Sequence, residues 1–278
     1  MRGEAVPAAP APNERIDMDL SNTLQKARPA AMSDEEWKLR LELAACYRLV
    51  DWLGWSELIY NHITLRIPSP PGERAQYLIN PFGLNYCEVT ATNLVKIHVD
   101  GNKLDDSPHA INAAGFVIHS AIHAARPDAH CVMHTHTTAG VAVACKTGGL
   151  RHDNFYSAML SGKVGYHDFE GITTNLDEQP RLVASLGAND VLILRNHGLL
   201  AVGPHIPGTF ITLWTLQRAC EVQLAADSMP GANIAIDPRV LALIPEQNRP
   251  LHSAKLRYGE APFDATLRRA GIRYEELV

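Results

Sequence analysis

The sequence predicts an α/β fold: three layers, α/β/α, around a mixed, largely antiparallel central sheet. Three observations carry this expectation. Short β-rich runs are joined by Pro/Gly turns, as in hairpins. Between them lie runs of helical period, above all Ala113 to Ala125 and Thr209 to Ser228. Finally, no G-x-G-x-x-G follows a first strand and no G-x-x-x-x-G-K-[ST] occurs, so a parallel, doubly wound nucleotide-binding sheet has no support.

Residues 1–32 are rich in Ala and Pro and cannot bury enough apolar area to offset chain entropy. They are expected to form a flexible tail, and they lack the apolar run of a secretory signal. The ordered domain is expected over 33–232. It opens on a capping box, Ser33-Asp34-Glu35-Glu36, followed by Trp37, Leu41, Ala44, Ala45 and Leu49 at helical spacing, ending near Gly54. Leu58 to Ile67 and Gln76 to Asn80 read as strands, separated by the turn Pro68 to Gly72. A short strand over Leu94 to Val99 meets the turn Asp100-Gly101-Asn102. Ala113 to Ala125 is a helix stopped by Arg126-Pro127-Asp128. A strand then begins at Cys131 and runs into His134-Thr135-His136, with a short helix over Ala139 to Ala144. Val191 to Leu194 reads as a buried strand, Leu199 to Val202 as its continuation after Asn196-His197-Gly198, and Thr209 to Ser228 as a long helix. Beyond Gly231 the periodicity weakens, so 233–278 is expected as an extension with a last short helix over Phe263 to Ala270.

Composition narrows the function classes. The chain has 278 residues, 46% hydrophobic, with a formal net charge of -5, which excludes wholesale disorder and argues against a general nucleic-acid binder. No apolar run of about 20 residues offers a membrane span. The five cysteines, Cys46, Cys87, Cys131, Cys145 and Cys220, form no Cys-x-x-Cys pair. They read as buried free thiols in a reducing cytoplasm. The tryptophans Trp37, Trp52, Trp55 and Trp214 read as core or interface packing on helical segments.

The sharpest chemical feature is His134-Thr135-His136 at the end of an apolar strand. Side chains at i and i+2 share a strand face, so two imidazoles can ligate one ion. His197 is the candidate third ligand, because Arg195-Asn196-His197-Gly198 also ends an apolar strand and Gly198 would let the backbone turn tightly. Three ligands with an open position is the pattern of a catalytic metal. The plainer alternative is two satisfied histidines at chance spacing.

From Tyr47 to about Ala232 the chain resembles the class II aldolase/adducin family, most of all its adducin-like bacterial branch. The resemblance is carried by Gly54-Trp55-Ser56-Glu57-Leu58-Ile59-Tyr60-Asn61-His62-Ile63-Thr64, Asn80-Pro81-Phe82-Gly83-Leu84 and the run Ala114 to Asp128, and by His134-Thr135-His136, Val164-Gly165-Tyr166-His167-Asp168 and Leu192 to Leu199. It implies an α/β/α fold, a homotetramer with sites between subunits, and a divalent metal at His134, His136 and His197, zinc first, manganese or iron otherwise. It also implies two phosphate-holding serines and an acid/base glutamate at the start of the helix before the His-x-His strand. Those positions fall here on Ala113, Ala114 and Gly115, and the family's Gly-Asn pair falls on Asn61-His62.

The candidates left to fill the gap are His119, one turn after Gly115; His62, on the strand that lines the site; and Tyr156, Tyr166 and His167 in the segment where the aldolases carry a catalytic tyrosine. Of these, His119 and Tyr156 are the candidate catalytic residues, and Asn61, His62 and Gly83 the candidate substrate-binding residues. The plainer reading makes His119 and His123 a helix's polar contacts and Tyr166-His167-Asp168 a structural turn. His109, His130, His152, His205 and His252 read as surface or loop residues, and Arg268, Arg269 and Arg273 as a solvated helix face. The expected function is a cytoplasmic metal-dependent lyase, retro-aldol or decarboxylating, acting on a small unphosphorylated carbonyl compound or 2-hydroxy/2-oxo acid. The alternatives are a non-haem iron oxygenase on the same fold and a non-catalytic adducin-like oligomer.

Overall fold

Seven strands form one sheet in the order β3-β2-β1-β4-β7-β6-β5 in the computed structural model, which describes residues 28–30, 32–172, 175–248 and 256–278. The strands are β1 (His62–Ile67), β2 (Gln76–Ile79), β3 (Val95–His98), β4 (Cys131–Thr135), β5 (Val164–His167), β6 (Val191–Leu194) and β7 (Gly198–Gly203). The helices are α1 (Asp34–Trp52), α2 (Ala113–Ala125), α3 (Thr138–Ala144), α4 (Phe155–Met159), α5 (Gln179–Leu186), α6 (Ile206–Asp227), α7 (Pro238–Asn248) and α8 (Glu260–Ala270). Every neighbouring pair is antiparallel except β5 with β6. The expected α/β class with a mixed, largely antiparallel sheet is the fold observed.

Alternation along each strand separates two cores. Ile63 and Leu65 on β1, Met133 on β4, Ile193 on β6, and Leu199 and Ala201 on β7 join α1, α6 and Phe263 of α8 in the larger one. Val132, Leu192, Leu194, Leu200 and Val202 face the other way, against Ile118 and Ile122 of α2 and Leu182 and Leu186 of α5. Tyr77 and Ile79 of β2 extend that second face to Phe116. The sheet is therefore covered on both sides, which is why β6 reads as an unbroken apolar run.

The first helix starts as expected: Ser33 Oγ accepts from the Glu36 amide at 3.1 Å. The Glu36 carboxylate has other partners, Arg40 and Lys96, each at 2.9 Å, and so ties α1 to β3. Arg40 in turn donates from the interior to the Ala91 and Leu94 carbonyls.

Several boundaries differ from the sequence expectation. The strand expected from Leu58 begins only at His62, because Leu58 sits at φ 50, a left-handed conformation no strand tolerates. The long helix starts at Ile206, not Thr209, since Pro207 fits a first turn and His205 Nδ1 caps the Gly208 amide at 3.1 Å. Tyr166 and His167 belong to β5 rather than to a turn. The helices α4, α5 and α7 were not expected. Trp55 lies outside any helix, and Trp52 is 45% exposed, with Arg269 over its ring. Only three cysteines are buried, Cys46, Cys131 and Cys220; Cys87 and Cys145 are exposed. The expected tail and His252 fall almost wholly outside the described residues.

Candidate metal centre

Pairing of β4 with β7 sets His134 opposite Leu200 and Thr135 opposite Leu199. That register carries the ends of both strands, and the turn holding His197, to one place. The three imidazoles converge through their Nε2 atoms: His134 to His136 at 2.7 Å, His136 to His197 at 2.9 Å, His134 to His197 at 3.3 Å. Among the described residues no Asp, Glu or Cys joins this cluster.

The donor chemistry suits a cation. His134 Nδ1 donates to the Leu199 carbonyl at 2.9 Å, which leaves its Nε2 as a bare lone pair. Burial, and then its histidine neighbours, hold His134 well below the usual histidine pKa. Burial also lowers His136 and takes His197, with His136 nearby, to about 4. All three are thus neutral at pH 7, the form that ligates metal. Two nitrogens about 2.0–2.1 Å from one tetrahedral ion lie about 3.3 Å apart, so these rings need to open only slightly to hold one. His134 is buried while His136 and His197 are half-buried, which leaves an approach from solvent.

Gly198 is required here, though not for a turn. The left-handed residue of the turn is Asn196, at φ 58, while Gly198 already lies in β7. A side chain at 198 would overlap the Thr135 carbonyl oxygen and come within 3.0 Å of the His136 ring and 3.2 Å of the His134 ring.

A second set of histidines runs inward from this centre. His62 is the cross-strand partner of His134, with ring centroids 5.2 Å apart. Its Nδ1 lies 2.9 Å from His119 Nε2. His119 Nδ1 and His123 Nε2 both lie 2.7 Å from Thr64 Oγ1, and His123 Nδ1 lies 2.8 Å from the Ala129 carbonyl. Burial keeps all three rings uncharged, taking His62 and His123 to about 3 and His119 well below its ordinary value. Thr64 is the residue sequence reasoning missed. The signal was available: His62 and Thr64 share a strand face, and His119 and His123 share a helix face.

The other candidates are not among the three converging rings. Asn61 is buried, with its amide nitrogen donating to the Trp55 carbonyl at 2.6 Å and its Oδ1 without a partner among the described residues. Gly83 is exposed at φ 103 with open space beside it. Tyr156 packs its ring against Trp214, with centroids 5.6 Å apart and Arg218 over it. The Tyr166 hydroxyl accepts from the Leu150 amide at 3.0 Å, and His167 joins Glu178 at 3.1 Å and Ser185 at 3.1 Å. His119 is fully enclosed, so it touches the centre only through His62.

Comparison with known proteins agrees with this architecture. The family model of the class II aldolase and adducin N-terminal domain matches residues 41–224. A Pseudomonas aeruginosa protein with the provisional name aldolase class 2 protein is 48% identical over 213 residues, 77% of this chain and 81% of its own. Alpha-adducin of Rattus norvegicus is 44% identical over 78% of this chain, which spans only 30% of that longer protein. A solved structure of an aldolase II superfamily protein from Pseudomonas syringae superposes with a TM-score of 0.80 at 40% identity, covering 88% of this chain and 97% of that one. The chain belongs to the class II aldolase/adducin family.

Proposed function

We propose that the protein binds one divalent metal ion through His134, His136 and His197 and acts as a lyase. The reaction is retro-aldol or decarboxylating, on a small unphosphorylated carbonyl compound or 2-hydroxy/2-oxo acid. The observation that carries this reading is the convergence of three neutral Nε2 atoms with solvent on one side. A divalent ion held there would polarise a carbonyl oxygen and favour the negative charge that develops as an adjacent carbon–carbon bond breaks. The chain's own part is to fix the rings. The Leu199 carbonyl sets the His134 tautomer, and Gly198 lets the two strands close. Ala113, Ala114 and Gly115 bring no hydroxyl to hold a phosphate and no carboxylate to move a proton. Decarboxylation fits that inventory well, because it generates the carbanion without removing a proton from carbon. Zinc is the first expectation for the ion, with manganese or iron next; a homotetramer acting in the cytoplasm completes the proposal. Among the described residues no helix is long and apolar enough to cross a membrane.

Elemental analysis of untagged protein tests this. About one equivalent of zinc, lost in His134→Ala, is expected. At a free zinc concentration 100-fold above Kd the ion adds about 2.7 kcal/mol of stability, which a thermal melt with and without chelator detects. Protein that takes up no divalent ion, or the same amount in His134→Ala, refutes the proposal. Iron uptake with oxygen consumption would instead favour an oxygenase. The likeness to alpha-adducin supports a second reading, a non-catalytic oligomer. Loss of the oligomer on metal removal, with no carbonyl compound turned over, decides for it.

A further inference from the structure

We propose that His62 Nε2 is the acceptor that reads a hydroxyl group on the bound substrate, from the space that a side chain at Gly115 would otherwise fill. The proposal rests on the metal-centre reading for where that substrate lies.

Proton positions along the buried string are set from its far end. The Ala129 carbonyl can only accept, so the proton facing it belongs to His123 Nδ1. An uncharged His123 then presents Nε2 as a lone pair, and only the Thr64 hydroxyl is there to donate to it. With its one proton so used, Thr64 Oγ1 accepts from His119 Nδ1. His119 Nε2 is therefore bare, and it accepts from His62 Nδ1. Each contact leaves a single choice, and the choices end at His62. Its Nε2 is a lone pair with no hydrogen-bond partner among the described residues, although the residue is only 2% exposed.

The position of that lone pair is set as well. A Cβ on Gly115 would overlap the His62 ring at Cδ2 and Nε2. The imidazole thus occupies the volume of a side chain at 115. The ring also lies beside His134, on the same face of the sheet. An acceptor with no proton of its own favours a ligand that brings a donor, and in a 2-oxo acid, ionised at its carboxylate, that donor is a hydroxyl. The substrate class that follows is a 2-oxo acid with a hydroxyl on the carbon next to the carbonyl. His119, Thr64 and His123 are positioning residues, which act by fixing the His62 tautomer.

Two measurements on the full chain test this. In the first, long-range proton–nitrogen NMR on protein labelled with 15N-histidine reads the tautomer. His62 is expected as a single Nδ1-protonated form, with or without zinc. Thr64→Val should mix its tautomers and Thr64→Ser should restore the single form. In the second, the visible spectrum of cobalt(II)-loaded protein follows titration with pyruvate and with 3-hydroxypyruvate. A preference of about tenfold for hydroxypyruvate is expected, the worth of one hydrogen bond. His62→Phe should abolish that preference. An Nε2-protonated His62 in the wild-type chain overturns the inference. So does a His62 tautomer indifferent to Thr64→Val. Stoichiometric cobalt uptake with no preference for the hydroxyl, or a preference that survives His62→Phe, overturns it while the metal reading stands. Protein that takes up no cobalt sinks the metal reading and the hydroxyl contact with it, whereas the tautomer measurement still decides the state of His62.

Discussion

Replacing Gly198 by alanine should damage the metal centre without touching a ligand. The added Cβ would overlap the Thr135 carbonyl oxygen and stand 3.0 Å from His136 Cδ2 and 3.2 Å from His134 Cε1. The worst contact is with backbone, so no rotamer change relieves it. Neither strand is free to drift, because β4 is also paired with β1 and β7 with β6. To regain ordinary van der Waals separation, the end of β4 must move by roughly 1 Å. Thr135 carries His134 and His136 with it. A metal site tolerates deviations of about 0.2 Å in ligand distance, so a shift of that size should weaken zinc binding about 10- to 100-fold. Overpacking should separately cost the metal-free protein about 1–3 kcal/mol. Chelator competition measures the first effect, and urea denaturation of metal-free protein the second. Gly148→Ala is the control: nothing lies within 4 Å of a Cβ there, and a change within about 0.5 kcal/mol is expected. If Gly198→Ala binds zinc as tightly and melts in urea where wild type does, the close approach of β7 to Thr135 does not set the geometry of the centre.

Two further predictions concern other parts of the fold. Asp264 on α8 is raised to about 6, by burial first and then by Glu260 and Glu42. Its folded pKa exceeds the unfolded value of about 3.9, so the folded state holds more protons between those values and stability falls as pH rises from about 4 to about 6. Asp264→Asn should match wild type in thermal melts near pH 4 and melt higher at pH 7.5; a lower melting point at pH 7.5 would contradict the assignment. Iodoacetamide should label Cys87 and Cys145 in the native protein and leave Cys46, Cys131 and Cys220 unlabelled until unfolding, as mass spectrometry of peptides reports. Burial also pushes the Cys220 thiol up to about 12 and the other two buried thiols upward, which withholds the reactive thiolate.

Strong local signals made most of the fold legible. The Ser33 cap, the unbroken run of β6 and the helix from Ala113 to Ala125 each follow from short-range chemistry. The unexpected elements lacked such signals. β5 is four residues long and contains Gly165, which a Cβ could not replace because the Ser185 carbonyl presses against it. α4 has five residues, and α5 opens on Gln179-Pro180, so neither offers enough turns for a period to show. In the metal centre, His134 and His136 follow from strand alternation alone. His197 depends on the β4–β7 register, a long-range pairing that no local pattern reveals. The string from His62 to His123 was legible only in halves, one face of a strand and one face of a helix. It needs Thr64 on the strand and His119 on the helix to face each other, and it shows only once α2 packs on the sheet.

Gly115 and His62 should then behave as one unit. Alone, Gly115→Ala in wild-type protein forces a Cβ into the His62 ring, an overpacking cost of about 1–3 kcal/mol. The same change relieves helical glycine, a gain of at most about 0.5–1 kcal/mol. The clash outweighs the gain, and net destabilisation is expected. In a His62→Ala background the ring is gone and only the gain remains, so the sign of the effect should reverse. A double-mutant cycle from urea denaturation of the four metal-free proteins measures this, with a coupling of about 1–3 kcal/mol expected. Effects that add within about 0.5 kcal/mol would mean the ring does not occupy that volume. If the coupling is found, a carboxylate placed at 115 cannot act while His62 keeps its position. The glutamate that the family resemblance implies at 115 and the histidine at 62 would then be two sides of one exchange of volume, and restoring one would require removing the other.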